Sequence, residues 1–441
     1  MKNEVRTARG STTPEVVEVT TCSTDRSPET PMAAPMLNEH PLTPPPPGYR
    51  WSQSVISGAI DGQRYRTILQ VITPIDPSHA TGIVMLEPWH RAGYWTAYSK
   101  VQSYLTREGH SAAIVVSNRD VLETFIRPQD PDRYHDLSLP EGEYVDSEVM
   151  AHAGALLRSG AIEGVAARHC ILAGQSTEAY WVRRYIAQEH HLATVSDQHI
   201  FSGYFPAQSA LSSPRSTIDD IDVPVIELQG ESELIRSFAR GGERADYRRP
   251  DGALYRLYEV PGMPHVCTRN GASIGRSSTM QCVSPHWSNF PLFHVHHLGL
   301  DNLISWIEEG TPAPEVPRIM TREEGRIIER DAFGNALGGL RTSYFEVPLA
   351  TVHATNGETP ENLRGERCDF FAWDEALPAA QLRALYGSHS GYVARLDEVL
   401  DELVAKRWYL LDDAQEMREE ATQQAHRFYG CASSSSDRSL S

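Results

Sequence analysis

The chain has 441 residues, of which 40% are hydrophobic and 22% charged, so it can bury one large core or two domains. Its formal net charge of -18 at pH 7 disfavours nucleic acid and anionic membranes as main partners, because both attract clustered Lys and Arg. The beginning of the sequence lacks an apolar signal region, and no apolar run is long enough to span a bilayer. We therefore expect a cytoplasmic protein with no membrane partner.

The six cysteines are scattered and form no closely spaced pair; they are Cys22, Cys170, Cys267, Cys282, Cys368 and Cys431. This pattern predicts free thiols rather than a disulfide framework or a zinc site. A disulfide between Cys267 and Cys282 is left open as an alternative.

The two ends of the chain differ in composition from the middle. Residues 1–49 are rich in Ser, Thr, Pro and Glu, a composition that buries too little apolar surface to offset the entropy cost of ordering. We expect a disordered arm there and a disordered tail at residues 429–441. Between them we expect a core over residues 50–310, with a cap near residues 196–222, and a C-terminal extension over residues 311–428 that packs on the core.

Apolar runs alternate with helical patterns along the middle of the chain. The predicted strands are YRTILQVITP, GIVMLEPW, SAAIVVSN, HCILAGQS, VPVIELQG and LYRLYEV. The predicted helices between and after them are SKVQSYLTREG, SEVMAHAGALLRSG, EAYWVRRYIAQEH, ELIRSFAR, FHVHHLGLDNLISWIEEG and a run from about Ala379 to Ala425. This alternation predicts an α/β fold with a doubly wound, mainly parallel sheet and an appended helical C-terminal region.

The segment HCILAGQSTEAYW combines a strand that ends at Gly174, a serine two residues later and a helix that begins at once. This is the pattern of a nucleophile elbow, in which a sharp turn exposes the serine hydroxyl above the carboxyl edge of the sheet. Ser176 is therefore the predicted nucleophile, although Glu178 stands where the G-x-S-x-G motif has its second glycine. The alternative is that Ser176 only caps the N-terminus of the helix.

Two later strands each lead into a residue that could activate this serine. VPVIELQGESEL ends its strand at Gly230 and continues into Glu231 and Glu233, and LYRLYEVPGMPHV leads to His265. A serine hydroxyl becomes nucleophilic when a histidine accepts its proton, and a carboxylate orients that histidine. The order Ser, acid, His is that of α/β-hydrolases. We predict His265 as the base and Glu233 as the acid, with Glu231 in reserve.

The backbone N–H groups of Thr177 and Trp89 are the predicted oxyanion donors, because this fold takes one donor after the nucleophile and another from an early strand-to-helix loop. Tyr180, Trp181 and His90 are predicted to line the substrate pocket, the alternative being core or loop packing.

Three histidines, His294, His296 and His297, lie in an apolar helical pattern without a Cys, Asp or Glu cluster at ligand spacing. No metal site is predicted there. Attack by serine requires no cofactor.

Several segments resemble one known family: GIVMLEPWHRAGY, GQSTEAYWVRRYI, VPVIELQGESEL, LYEVPGMPH, DAFGNALGGLRTSYFEVPLATV and KRWYLLDDA. Together they span roughly Tyr65 to Ala425. The chain resembles the alpha/beta hydrolase domain-containing proteins, whose members are similar to serine esterases. The resemblance implies that Ser176 occupies the nucleophile position and His265 the histidine position.

We therefore expect a serine hydrolase that acts on a carboxylic ester or related acyl bond of a small molecule. One alternative uses the same residues as an acyltransferase, cyclase or lyase of secondary metabolism. The other is a catalytically inactive binding protein, which Glu178 in the elbow would favour. The oligomeric state is left open, with a homodimer as one option.

Overall fold

The computed structural model describes residues 5–6, 14–22, 46–209, 218, 221–239, 248–269, 282–323, 326–360 and 367–429. The strands are β1 (Val5–Arg6), β2 (Glu15–Cys22), β3 (Tyr49–Ile60), β4 (Gln63–Pro74), β5 (Ile83–Pro88), β6 (Ser111–Val115), β7 (His169–Gln175), β8 (Thr194–Val195), β9 (Gln198–His199), β10 (Gly203–Ala207), β11 (Val225–Gly230), β12 (Tyr255–Val260), β13 (Thr321–Arg322), β14 (Ile327–Ile328), β15 (Ala350–His353) and β16 (Trp373–Ala376). The α-helices are α1 (Thr96–Glu108), α2 (Arg119–Val121), α3 (Val145–Ser159), α4 (Thr177–Gln188), α5 (Glu231–Ala239), α6 (Leu292–Glu309), α7 (Ser343–Glu346), α8 (Ala379–Tyr386), α9 (His389–Ala405), α10 (Leu411–Thr422) and α11 (His426–Tyr429).

A nine-stranded sheet in the order β12-β11-β10-β7-β5-β6-β4-β3-β2 forms the centre of the molecule. The six strands from β12 to β6 are parallel, and β4, β3 and β2 add an antiparallel edge. Helices α1 and α6 pack on one face, and α3 and α4 on the other. The α/β fold with a doubly wound, mainly parallel sheet, predicted from the alternation of elements, is confirmed.

The strand order reverses at β5, which lies between β6 and β7. In open α/β sheets such a reversal creates a crevice at the carboxyl ends of the strands, where ligands bind. Strands β5 and β11 are buried along their whole length, because helices cover both faces of the sheet. The loops that follow β5, β7, β11 and β12 therefore share one edge of the molecule.

Part of the predicted disordered arm is ordered. Val5–Arg6 pairs with β8, and Glu15–Cys22 pairs antiparallel with β3 at the edge of the large sheet. The prediction over residues 1–49 was wrong for these parts because it averaged composition over the arm, whereas EVVEVTTC is rich in residues that favour strands. The remainder of the arm before residue 46, and residues 430–441 of the predicted tail, lie outside the described residues.

The cap predicted near residues 196–222 is wrong for residues 203–207. Gly203–Ala207 forms β10, a buried strand between β7 and β11. A strand of five residues with Gly203 at its start and Pro206 inside it resembles a loop in sequence. Residues 210–217 and 219–220 of this segment lie outside the described residues.

The C-terminal extension has a hydrophobic cluster of its own, built from α8, α9, α10 and α11. Histidines of α6 hold this cluster to the core. His294 Nδ1 lies 2.7 Å from the Tyr409 hydroxyl, and His297 Nδ1 lies 3.0 Å from an oxygen of Asp413. His294 and His297 thus pair with groups of the extension.

Cys282 and Cys368 form a disulfide across 86 residues of sequence, whereas Cys170 and Cys267 are free and buried. The prediction of free thiols is therefore wrong for this pair, and the alternative of a bond between Cys267 and Cys282 is not what forms. No spacing rule links two cysteines that are brought together only by tertiary packing. None of the helices in the described ranges combines the length and apolarity needed to span a bilayer.

Candidate active site

Ser176 lies at the tight turn between β7 and α4, with a φ of 64° and a ψ of -122°. This left-handed conformation is strained for a residue with a side chain, and such strain is typical of functional turns. The Ser176 N–H donates to the Ala207 carbonyl at 3.0 Å, which holds the turn against β10. A Cβ on Gly174 would lie 2.7 Å from the Glu178 carbonyl carbon, so the glycine permits close packing of α4 on β7.

His265 lies in the loop after β12 and reaches both of its predicted partners. Its Nε2 is 3.1 Å from Ser176 Oγ, and its Nδ1 is 2.7 Å from Glu233 Oε1. Because a carboxylate can only accept, Nδ1 carries the proton and Nε2 is left to accept from the serine hydroxyl. The structure thus brings together three side chains that are up to 89 residues apart in sequence.

Glu233 lies in the first turn of α5 and is completely buried. Its Oε2 accepts from the Gly230 N–H at 3.1 Å and from the Ser232 hydroxyl at 2.9 Å. A Cβ on Gly230 would lie 2.8 Å from this oxygen, so glycine at the end of β11 makes room for the carboxylate. A buried charge is tolerated when its lone pairs are occupied in this way.

Glu231, the reserve acid, is equally buried but faces away from His265. It accepts from the Gly262 N–H at 2.7 Å and from Arg330 Nη2 at 2.7 Å. These contacts tie the turn after β12 to the C-terminal extension. Of the two glutamates, only Glu233 contacts the histidine.

A buried amide network supports the backbone of the histidine loop. Gln208 Nε2 donates to the carbonyl of Pro264 at 2.6 Å and to that of His265 at 3.2 Å. Its Oε1 accepts from Gln175 Nε2 at 3.2 Å and from His296 Nε2 at 2.9 Å. Burial lowers the pKa of His296 well below its usual value, which leaves a neutral donor. The network joins the ends of β7 and β10 to the loop that carries the histidine.

Residues 47–419 of this chain match a family model for the alpha/beta hydrolase domain. The chain is a member of the alpha/beta hydrolase family. No curated protein matches it. Among solved structures, the esterase Est22 is 12% identical with a TM-score of 0.32, over 48% of this chain and 72% of that one. A putative dienelactone hydrolase from Klebsiella pneumoniae is 15% identical with a TM-score of 0.27, over 44% of this chain and 79% of that one. An S-formylglutathione hydrolase from Staphylococcus aureus is 10% identical with a TM-score of 0.28, over 48% of this chain and 90% of that one.

In this alpha/beta hydrolase, the extension supplies a segment, Cys368–Phe370, that covers the histidine and its acid. The Phe370 ring lies 4.5 Å from the His265 ring, and the Val266 N–H donates to the Phe370 carbonyl at 3.0 Å. The disulfide to Cys282 fixes the beginning of the segment. No sequence signal placed residues from so far along the chain at the site.

Arg236 links this segment to the acid. Its guanidinium lies 4.3 Å from the Phe370 ring, 3.4 Å from Glu233 Oε1 and 3.3 Å from Asp369 Oδ2. The i,i+3 spacing of Glu233 and Arg236 on a helix could have identified the pair from the sequence.

The two backbone N–H groups predicted as oxyanion donors differ in whether they already have an acceptor. Thr177 is the first residue of α4, where a backbone N–H has no acceptor within the helix, so its assignment stays a prediction. The Trp89 N–H instead donates to the Val115 carbonyl at 2.8 Å. The prediction for Trp89 is wrong because pairing between β5 and β6 continues to this residue. The next N–H, that of His90, donates to the Tyr94 carbonyl at 3.0 Å.

Glu178, which replaces the second motif glycine, points into the loop after β5. Its Oε1 accepts from the Arg91 N–H at 3.2 Å, and its Oε2 lies 3.1 Å from His90 Nε2, although poorly aligned for a hydrogen bond. Because the Ala92 N–H donates to His90 Nδ1 at 3.0 Å, the imidazole proton lies on the nitrogen that faces Glu178. Burial lowers the pKa of His90 to about 3 and raises the pKa of Glu178 well above its usual value.

Tyr180 and Trp181, the other predicted pocket residues, lie on the first turns of α4 and are partly exposed. The Trp181 ring is contacted by the guanidinium groups of Arg91 and Arg184 at 4.8 Å and 4.7 Å, and the Tyr180 ring lies 5.6 Å from it. Cation–π contacts with two guanidinium groups stabilise the position of the indole. Contact with substrate remains a prediction for both residues and for His90.

Proposed function

We propose that this chain is a serine hydrolase that cleaves a carboxylic ester or related acyl bond of a small molecule. The observation that carries the proposal is the imidazole of His265, which lies 3.1 Å from Ser176 Oγ on one side and 2.7 Å from Glu233 Oε1 on the other. The strained turn at Ser176 and the partial exposure of that residue support it, because a nucleophile must be both activated and accessible.

The proposed reaction has two halves. Ser176 Oγ attacks the carbonyl carbon while its proton passes to His265 Nε2, and the bond to the alcohol then breaks as Nε2 returns the proton to the leaving oxygen. Water, deprotonated by the same nitrogen, attacks the acyl-enzyme and releases the acid and the free serine. Glu233 holds the Nδ1–H and stabilises the imidazolium. We assign the Thr177 N–H as one oxyanion donor.

The orientation of the Glu178 side chain argues against the alternative of an inactive binding protein. That alternative supposed that the carboxyl group crowds the elbow, but the group extends to Arg91 and His90 instead. An acyltransferase, cyclase or lyase would use the same three side chains, so these side chains do not distinguish such enzymes from a hydrolase. Measuring the reaction products does.

The test is hydrolysis of p-nitrophenyl esters of different chain length. We expect the wild-type protein to release nitrophenol and Ser176→Ala to lower kcat/KM by about a thousandfold or more. Ser159→Ala is the matched control, because this serine caps the far end of α3 through the Leu156 carbonyl. Equal rates for wild type and Ser176→Ala would contradict the proposal. Absence of turnover with labelling of Ser176 by an acylating probe would favour a specialised acceptor.

The cytoplasmic location expected from the sequence stays a prediction, and the Cys282–Cys368 disulfide bears on it. Cytosolic thiols are normally kept reduced, whereas disulfides persist in oxidising compartments. Alkylation of the protein directly in lysed cells distinguishes the two: modification of both cysteines supports the cytosol, and their protection supports an oxidising compartment.

A further inference from the structure

A second cluster of reactive side chains lies at the opposite edge of the sheet from Ser176. His190 and His191 follow the C-terminus of α4, His199 ends β9, and Asp222 precedes β11. Helix α4 has 12 residues, so the cluster lies about 18 Å from the nucleophile turn. It is therefore separate from the candidate active site.

The ligand atoms of these four residues converge. One atom from each lies within 4.8 Å of those of the others. His190 Nε2 is 2.6 Å from Asp222 Oδ1, and His199 Nε2 is 2.9 Å from Asp222 Oδ2. A tetrahedral zinc site with bonds of about 2.1 Å separates its ligand atoms by about 3.4 Å. Side-chain shifts of about an ångström would convert the present arrangement into such a site.

The second nitrogens of the two imidazoles are already held. His199 Nδ1 donates to the His190 carbonyl at 3.0 Å, and His190 Nδ1 lies 2.8 Å from the buried Tyr204 hydroxyl. Since a carbonyl only accepts, His199 Nδ1 carries a proton, and Nε2 is the nitrogen that faces the Asp222 carboxylate. Metal-binding histidines are oriented in this way by a hydrogen bond from the other ring nitrogen.

We propose that His190, His191, His199 and Asp222 bind a divalent transition metal ion, for which zinc is the best match to three imidazole nitrogens and one carboxylate oxygen. Four protein ligands complete a tetrahedral shell, as in structural sites. The ion ties the end of α4 to the β8–β9 hairpin and to the residue that leads into β11. This proposal does not depend on the hydrolase activity.

The experiment titrates ZnCl2 into the full chain, freed of metal with a chelator and carrying no polyhistidine tag. We expect one ion per chain, and a melting temperature that rises with zinc because the ion binds the folded state. Asp222→Asn and His199→Ala should each weaken zinc binding at least about tenfold. Both residues are partly or fully exposed, and circular dichroism checks that the variants fold.

His353→Ala is the matched control, because His353 faces Glu375 at 3.5 Å in an imidazole–carboxylate pair outside the cluster. It should bind zinc as the wild type does. The Co2+ form should show the intense visible absorption of a tetrahedral ion, lost in Asp222→Asn. Zinc binding that is equal in wild type, Asp222→Asn and His199→Ala, or absent from the wild type, would overturn the proposal.

Discussion

At the residue scale, the proposed chemistry depends on which of two neighbouring glutamates faces His265. Glu233 Oε1 lies 2.7 Å from His265 Nδ1, whereas Glu231 binds the Gly262 N–H and Arg330. Both carboxylates are completely buried, so exposure does not distinguish them. Their difference is one of direction, which follows from their positions two residues apart at the start of α5.

Glu233→Gln should lower kcat/KM by about a thousandfold, because the amide no longer fixes the tautomer of His265 or stabilises its imidazolium. Glu231→Gln keeps an acceptor for Gly262 and should remain within about tenfold of the wild type. Ester hydrolysis and thermal melting of both variants check this. A larger loss of activity in Glu231→Gln than in Glu233→Gln, at similar melting temperatures, would reverse the assignment.

The three key side chains could be predicted from the sequence because each follows a strand whose apolar run is unmistakable. Ser176, Glu233 and His265 come after β7, β11 and β12, and parallel strands bring their carboxyl ends to one edge. Trp89 could not be assigned correctly, because the sequence does not show where pairing between two strands stops. The cluster proposed to bind a metal ion was missed for a related reason: His190 and Asp222 are 32 residues apart and are brought together only by tertiary packing.

At the element scale, the segment Cys368–Phe370 joins the C-terminal extension to the active site. The Phe370 ring and its carbonyl contact the His265 loop, and the disulfide from Cys368 to Cys282 closes a loop of 86 residues. A crosslink of this span restricts the unfolded chain strongly. The extension is thus connected to the residues proposed for catalysis as well as to the core.

Cys282→Ser should lower the free energy of unfolding by about 2–4 kcal/mol. Chemical denaturation without reductant measures the change. Reductant provides the internal control: it should bring the wild type close to the variant and leave the variant unchanged. The prediction is contradicted if the wild type and Cys282→Ser have the same free energy of unfolding and reductant changes neither. That result would show that the disulfide does not contribute to stability.

Elements with continuous apolar runs or clear helical periods were predicted, and those with mixed patterns were not. β5, β7, β11 and β12 belong to the first group. β3, with the sequence YRWSQSVISGAI, was missed because its polar residues Ser52, Gln53 and Ser54 are buried within the sheet. Polar residues usually indicate exposed positions. β10 was missed because it is short and contains proline.

At the scale of the whole molecule, several imidazoles are buried in neutral form. Burial lowers the pKa of His110, His152 and His190 to about 4, below the usual value of 6.5. The unfolded chain binds protons at these groups below pH 6.5, whereas the folded chain does not until about pH 4. Their effect on the free energy of unfolding is therefore absent above pH 6.5, and the free energy of unfolding falls as the pH is lowered below that value. Two buried glutamates act in the opposite direction: burial raises the pKa of Glu87 to about 8 and the pKa of Glu178 well above its usual value.

Burial also lowers the pKa of His90 and His296. Because the buried histidines outnumber these two glutamates, the free energy of unfolding should fall from pH 7 to pH 5. Urea denaturation at the two pH values measures it. His152→Gln removes one such imidazole and should reduce the difference between pH 7 and pH 5. A stability that is constant or rises on acidification would contradict this account of the buried histidines.

The central claim is that one hydroxyl, that of Ser176, is made reactive by its surroundings. A fluorophosphonate probe, which phosphonylates activated serines, tests it most directly when the labelled peptide is identified by mass spectrometry. We expect the wild-type protein to carry one label, on the peptide with Ser176, and Ser176→Ala to carry none. A wild type that resists the probe as fully as Ser176→Ala, or a label on another serine in both proteins, would contradict the claim.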